Sequence, residues 1–231
     1  MKAFLMAAGR GTRIKSITDE PKSLLKVKGK SILKNTIDML LSKNIDVYVI
    51  TGFKEHLIRK ELEEYKNIKI ISNLKYNETN SIYSLYQVKN EIDDECIILN
   101  ADVYWNENML NILLNYNDFS NAVMLGDSSR VEVGDYFLKT KNFRIIDFGK
   151  ELKLADRSFE YVGIAKIHKD FVKKFKDKLA QLIENEQFDL WWENVLYELS
   201  LKYNIVVYDI NGMFWGEVDT KEDYKRILDN A

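Results

Sequence analysis

Two glycines and two basic side chains lie close together near the start of the sequence. The stretches that contain them read Met6-Ala7-Ala8-Gly9-Arg10-Gly11-Thr12-Arg13 and Pro21-Lys22. Glycine lets a loop bend tightly and brings backbone N–H groups close to a ligand. Arg13 offers a forked donor to phosphate oxygens, whereas Lys22 offers a compact point charge. We therefore predict a loop that binds the phosphates of a nucleoside triphosphate.

Two better-known glycine loops do not fit this stretch. The dinucleotide fingerprint G-x-G-x-x-G needs a glycine where the chain has Ile14, and the P-loop G-x-x-x-x-G-K-[ST] occurs nowhere in the sequence. Pro21 is the only proline of the chain, and its locked φ fixes the approach of the Lys22 side chain. Spacing alone still leaves open an ordinary strand-to-turn loop with scattered charge.

Three acidic residues form the second group of candidates. Asp102 directly follows an apolar run, and Glu217 and Asp219 are separated by one residue. Alternation along a strand would put Glu217 and Asp219 on the same face, where two carboxylates repel each other unless a cation lies between them. For each aspartate, capping of the helix that follows remains the open alternative.

The first half of the chain alternates strands with amphipathic helices. The predicted strands are 2–6, 46–51, 68–72 and 95–100, and the predicted helices are 31–43 (with Ser31 as N-cap), 54–65 and 81–90. This spacing predicts βαβ units, a parallel sheet and helices on both of its faces. Ligands of such sheets bind beyond the carboxyl ends of the strands, so the Gly9 loop and Asp102 should share one edge.

The second half has a different pattern. Its predicted strands are 122–125, 135–140, 144–148, 160–167, 205–208 and 213–218, and its predicted helices are 169–184, 188–201 and 220–229, the last capped by Thr220 and Asp223. We predict an α/β fold with a doubly wound, mostly parallel, Rossmann-like sheet and a small antiparallel extension for a second substrate. Residues 1–231 should form one domain, with a nucleotide-binding half at 1–125 and an acceptor-binding half at 126–231.

Composition narrows the classes of partner. The net charge of −2 gives no basic stripe for a nucleic acid. No apolar run approaches the roughly eighteen residues of a membrane span, and the run after Lys2 is too short for a signal peptide. Cys96, the only cysteine, should be a buried strand residue rather than a nucleophile. We expect a cytoplasmic protein and keep a homodimer open.

The glycine loop combined with Pro21-Lys22 resembles the signature of the nucleotidyltransferases that activate sugar phosphates and related small phosphorylated molecules. The resemblance implies that Lys22 and Arg13 are catalytic, and that Mg²⁺ is held by Asp102 and Asp219 with Glu217 beside them. The nucleotide-binding residues it implies are Met6, Ala7, Ala8, Gly9, Arg10, Gly11, Thr12, Arg13, Lys22, Asn80, Ser81 and Asp102.

Within that family the chain looks most like the small enzymes that activate phosphocholine or aminoethylphosphonate. The stretches that carry this likeness are Asn80-Ser81-Ile82-Tyr83-Ser84-Leu85-Tyr86, Phe148-Gly149-Lys150, Tyr161-Val162-Gly163-Ile164-Ala165, Trp191-Trp192-Glu193-Asn194 and Glu217-Val218-Asp219. The likeness implies transfer of a cytidylyl group from CTP to a small phosphate or phosphonate, with release of pyrophosphate. A sugar 1-phosphate acceptor with UTP or dTTP, or a non-catalytic nucleotide-binding subunit, are the alternatives.

The head of a choline or aminoethyl acceptor is cationic, and aromatic faces with a carboxylate can bind it at about 0.5–2 kcal/mol per ring. The candidate acceptor-binding residues are Tyr136, Lys150, Tyr161, Trp192 and Glu193, with Lys150 on the acceptor's phosphate. A core position stays open for Trp192, because the predicted helix puts it on the same apolar face as Phe188. Tyr136 stands where resembling choline enzymes often have tryptophan, and tyrosine is the poorer cation–π partner.

Overall fold

The computed structural model describes residues 1–116, 118 and 120–231. The strands are β1 Lys2–Ala7, β2 Lys26–Val27, β3 Lys30–Ser31, β4 Asp46–Thr51, β5 Ile68–Ser72, β6 Cys96–Asn100, β7 Val103–Tyr104, β8 Ala122–Asp127, β9 Phe137–Lys141, β10 Arg144–Gly149, β11 Phe159–Ile167, β12 Ile205–Asp209 and β13 Gly216–Glu217. The helices are α1 Ile32–Ser42, α2 Glu55–Glu61, α3 Ser81–Gln87, α4 Glu107–Asn115, α5 Val172–Glu184, α6 Asn194–Ser200 and α7 Lys221–Asn230.

Nine of these strands form one sheet in the order β5-β4-β1-β6-β11-β8-β12-β10-β9. All of them except β10 and β11 run in the same direction, which confirms a mostly parallel sheet with antiparallel strands. The antiparallel part is not only an addition at the edge, because β11 lies in the middle, between β6 and β8. The boundary drawn at residue 125 falls inside β8, so one continuous sheet joins the two halves of the chain.

Helices cover both faces of the sheet, as a doubly wound fold requires. Alternation along β1 sends Ala3 and Leu5 into one hydrophobic cluster and Phe4 and Met6 into another. The first cluster contains buried residues of α1, α2 and α4, and the second contains those of α3, α5 and α6. Cys96 is completely buried in the second cluster, as predicted.

A third, smaller cluster joins the beginning of the described chain to its end. Ile14 and Val27, which flank Lys22 in sequence, pack with Val218 and with Ile227 of α7. The Tyr224 hydroxyl of the same helix donates to the Lys26 carbonyl at 2.7 Å. We call these contacts the loop–α7 cluster. It holds the segment with Arg13 and Lys22 against the segment with Glu217 and Asp219.

Two elements of the second half are much shorter in the structure than predicted. The helix predicted from residue 188 begins only at Asn194, because the carbonyls of Phe188 and Leu190 accept hydrogen bonds from the Asn80 and Ile82 amides instead of helical ones. The strand predicted over 213–218 is reduced to β13, since the Met213 amide turns back to the Ile210 carbonyl. Helix α4 was not predicted, and the helix predicted over 54–65 continues beyond the end of α2 at Glu61.

Within the described residues, no helix combines the length and the apolarity that crossing a membrane would need. The cytoplasmic location and the homodimer remain predictions.

Candidate active site

A cleft of about 320 Å³ opens at the carboxyl ends of β1 and β6. The chain order reverses between these neighbouring strands, and ligands of open α/β sheets bind at such a point. The cleft brings together most of the residues predicted for the site. Those that line it are Met6, Ala7, Ala8, Gly9, Gly11, Thr12, Arg13, Lys22, Asn80, Ser81, Asp102, Tyr136, Lys150, Tyr161, Glu193, Glu217 and Asp219.

Two predicted residues do not line the cleft. Arg10 points away, and its Nη1 donates to Asn77 Oδ1 at 3.3 Å. Trp192 is completely buried and donates from Nε1 to Asn100 Oδ1 at 2.9 Å, so the core alternative holds and the prediction of an acceptor contact needs correction. Trp191, which is 40% exposed, lines the cleft instead, because this stretch is not helical.

Lys22 occupies the centre of the cleft's charged part. Its Nζ lies 2.6 Å from Asp102 Oδ2 and 2.7 Å from Asp219 Oδ1. Burial disfavours the charged form of Lys22, but the nearby carboxylates, with Asp102 contributing most, outweigh burial and raise the pKa of the ammonium well above its usual value. Lys22 is therefore a permanent cation at neutral pH.

An ion-pair chain extends from Asp219 across the cleft. Arg13 Nη2 lies 2.6 Å from Asp219 Oδ2, and Arg13 Nη1 lies 3.5 Å from Asp135 Oδ2. Asp135 also pairs with Lys150 at 2.9 Å, and its backbone amide donates to Glu160 Oε1 at 3.0 Å. Asp135 thus links Arg13, near the glycine loop, with Lys150 on the opposite side of the cleft. Asp135 was not among the predicted site residues, although it stands directly before Tyr136.

Neither candidate aspartate caps a helix. The N-cap of α4 is Asn106, whose Oδ1 accepts from the Asn108 and Met109 amides. The N-cap of α7 is Thr220, which forms a capping box with Asp223 as predicted. The capping alternatives for Asp102 and Asp219 are therefore wrong. Both residues line the cleft instead.

Glu217 completes the acidic group. It lies in β13 opposite Val103 of β7, and Asn100 Nδ2 donates to Glu217 Oε1 at 3.3 Å. Burial, together with the neighbouring carboxylate of Asp102, raises the pKa of Glu217 well above its usual value. Asp219 lies outside β13, so a turn after the strand, rather than strand alternation, brings the two acids to the same cleft.

The opposite end of the cleft is aromatic. Tyr136 stacks on Tyr197 with ring centroids 5.6 Å apart, and Trp191 meets the Tyr136 ring at 89°. Glu193 is buried between these rings and the acidic group, and burial raises its pKa to about 7. Glu193 Oε2 and the Tyr161 hydroxyl have no hydrogen-bond partner among the described residues.

A polar corner beside β5 was not found from the sequence. Asn73 directly follows β5, and its Nδ2 donates to Thr79 Oγ1 and to Ser84 Oγ, at 3.2 and 3.0 Å. All three residues line the cleft. The position of Asn73 after a parallel strand was the available signal, the same one that identified Asp102.

The chain is similar to known proteins over nearly its whole length. The choline-phosphate cytidylyltransferase of Streptococcus pneumoniae is 28% identical, over 98% of this chain and 96% of its own. The CTP:phosphoglutamine cytidylyltransferase of Campylobacter jejuni is 26% identical, over 96% of this chain and 97% of its own. The solved CTP:phosphocholine cytidylyltransferase from Streptococcus pneumoniae superposes with a TM-score of 0.81 at 24% identity, over 99% of this chain and 97% of that chain, which confirms the fold.

The family match covers the glycine loop, Lys22, Asp102 and the strands that position them. Residues 2–136 match the family described as nucleotidyl transferase. That match takes in more than half of the chain, and the chain therefore belongs to the nucleotidyl transferase family.

Proposed function

We propose that the protein transfers a cytidylyl group from CTP to a small phosphate or phosphonate and releases pyrophosphate. The observation that carries the proposal is the position of Lys22. Its ammonium lies between Asp102 and Asp219 in a cleft that both the glycine loop and the aromatic residues line. The relatives named as cytidylyltransferases support CTP as the donor.

The proposed reaction is a direct displacement at phosphorus. An oxygen of the acceptor's phosphate forms a bond to the α-phosphorus of CTP. The bond from that phosphorus to the oxygen shared with the β-phosphate breaks, and pyrophosphate leaves with the electron pair. The attacking oxygen is already anionic near pH 7, so the site needs no general base. It needs to neutralise charge and to align the reacting groups.

The chain's own cations would divide this work. Arg13 and the backbone amides from Gly9 to Thr12 would hold the β- and γ-phosphates. Lys22 would oppose the negative charge that grows at the α-phosphate, and Lys150 would hold the acceptor's phosphate. Asp135 pairs with both Arg13 and Lys150, so the two phosphate-bearing substrates would each draw a cation away from the same carboxylate.

Asp102 and Asp219 would hold Mg²⁺, with Glu217 beside them. The fit is supported by their placement, since both direct a carboxylate oxygen at one cation, the ammonium of Lys22. Within the described part of the chain no three His, Cys, Asp or Glu side chains form a complete metal cluster. Mg²⁺ commonly uses one or two carboxylates and takes its other ligands from water and substrate phosphates. When bound, it supplies charge neutralisation at the phosphates.

Pyrophosphate release tests the proposal. With Mg²⁺ and CTP, we expect release that depends on a phosphorylated amino-alcohol or an aminoalkylphosphonate, and much weaker release with UTP or dTTP. Turnover that requires a sugar 1-phosphate with UTP or dTTP would favour the sugar-activating alternative. CTP binding without turnover of any acceptor would favour a non-catalytic role.

Gly11 gives a prediction about the position of Lys22. Gly11 has φ +56°, and a Cβ built there would lie 2.5 Å from Lys22 Cγ. Gly11→Ala should therefore displace Lys22 and lower kcat by about 10²-fold, the scale of a misplaced catalytic group. Gly29→Ala is the matched control, because Gly29 has φ +83° with no atom near its Cβ position. Equal activity of the two variants in the pyrophosphate assay would contradict this role.

A further inference from the structure

The aromatic end of the cleft contains buried oxygens that lack partners. Glu193 Oε2 and the Tyr161 hydroxyl have no hydrogen-bond partner among the described residues, and both residues line the cleft. Both side chains are nearly inaccessible, at 7% and 5% exposure for the whole residues. Native proteins rarely leave buried polar atoms unpaired, so each such atom requires an explanation. A ligand that donates hydrogen bonds at this point would provide one.

The charge at this point is also unbalanced. Lys22, Arg13 and Lys150 are each already paired with an aspartate. Glu193 forms no ion pair with any described residue, and burial makes its carboxylate form costly unless a cation approaches. The cleft therefore has a site for a positive charge that the chain itself does not supply.

Most of the surrounding aromatic rings pack against one another. Phe148, Tyr197 and Tyr136 form a continuous stack, with centroid distances of 4.3 and 5.6 Å. Tyr161 meets Tyr197 edge to face at 6.4 Å, so these four rings do not form an open cage, and Trp191 alone adds a substantially exposed ring to the described lining of the cleft. A quaternary ammonium is bound mainly through such open aromatic faces. Unpaired oxygens instead match a head group that carries N–H donors.

We propose that the acceptor's head is an ammonium with N–H groups, which donate to Glu193 Oε2 and the Tyr161 hydroxyl, and that a trimethylated head is disfavoured. This inference rests on the proposed cytidylyl transfer. A primary ammonium has three donors, whereas a trimethylammonium has none and would leave both oxygens unpaired. Sites built around hydrogen bonds reject analogues that lack the donors more strongly than apolar pockets reject an added methyl group.

A series of graded probes tests the inference. The probes are phosphoethanolamine, its N-methyl and N,N-dimethyl derivatives, and phosphocholine, each assayed with CTP and Mg²⁺. We expect kcat/KM to fall along the series and to be about 10- to 100-fold lower for phosphocholine than for phosphoethanolamine. The steepest step should be the last, because it removes the final N–H. Equal or better use of phosphocholine overturns the inference but leaves cytidylyl transfer intact. Failure of all four probes also overturns the inference, and the wider acceptor panel of the pyrophosphate assay then decides whether cytidylyl transfer itself holds.

Two variants separate recognition from general damage. Glu193→Gln removes the charge, and Tyr161→Phe removes the hydroxyl. Each should lower kcat/KM for phosphoethanolamine and bring the ratio of kcat/KM for phosphoethanolamine to kcat/KM for phosphocholine closer to one. Glu198→Gln on α6 and Tyr86→Phe on α3 are the controls, because neither residue lines the cleft. If either residue had a merely structural role, its substitution would lower kcat/KM for both substrates equally. An unchanged ratio in both Glu193→Gln and Tyr161→Phe would overturn the assignment.

Discussion

Asp102→Asn and Asp219→Asn should each lower turnover by about 10³-fold or more, the largest losses that we expect from any single substitution. Each change removes a negative charge from the position where Mg²⁺ is proposed to bind, and it keeps the shape of the side chain. Neither aspartate caps a helix, so neither change removes a helix cap. Steady-state pyrophosphate release at saturating CTP and Mg²⁺ measures the effect, and circular dichroism checks the fold.

Asp229→Asn is the control for these two variants, since Asp229 is exposed and lies in α7 away from the cleft. It should retain wild-type turnover. If Asp102→Asn or Asp219→Asn also retained near-wild-type turnover at saturating Mg²⁺, that residue would not be a ligand. The role of its carboxylate would then be to form ion pairs with the basic side chains of the cleft, such as Lys22.

Lys22→Ala should lower kcat by about 10²- to 10³-fold, the cost of losing one preorganised electrostatic group. The loss should appear mainly in kcat, because Lys22 is proposed to oppose charge that develops in the transition state. The structure strengthens this expectation. The side chain is only 16% exposed, and the neighbouring carboxylates hold it as a cation.

Two further substitutions test how closely the charge must be placed. Lys22→Arg should restore only part of the rate, because a planar fork cannot put a point charge at the same position between two aspartates. Pro21→Gly should cause a milder loss by loosening the backbone that precedes Lys22. Lys15→Ala, at an exposed position in the same segment, is the control and should be silent. Silent Lys22 variants would remove this residue from the mechanism.

Local signals in the sequence were enough to predict most of the framework. The caps at Ser31 and Thr220 and the apolar run of β6 each depend on neighbours within a few residues, so their patterns can be read directly. Because ligands of parallel sheets bind beyond the carboxyl ends of the strands, the glycine loop and Asp102 could be predicted to lie together. The family match covers the same part of the chain.

Residues whose roles depend on distant partners were harder to predict. Asp135 becomes notable only because the fold brings Arg13 and Lys150 to it. Trp191 lines the cleft in place of Trp192, and the predicted helix is absent at this point, because the amides of Asn80 and Ile82 bond to the carbonyls of residues 188 and 190. No periodicity within that stretch reports a hydrogen bond to a segment more than 100 residues away.

The loop–α7 cluster has a consequence for the order in which the protein assembles. Lys22 and Asp219 are 197 positions apart, so their contact closes nearly the whole described chain. Closing so long a loop is entropically costly, and contacts of this kind form late in folding. The glycine loop is synthesised before its acidic partner Asp219 and gains it only when Val218 and α7 pack against Ile14. Partly folded chains, even with a formed central sheet, would therefore lack the arrangement that binds nucleotide, and CTP binding would report completion of folding.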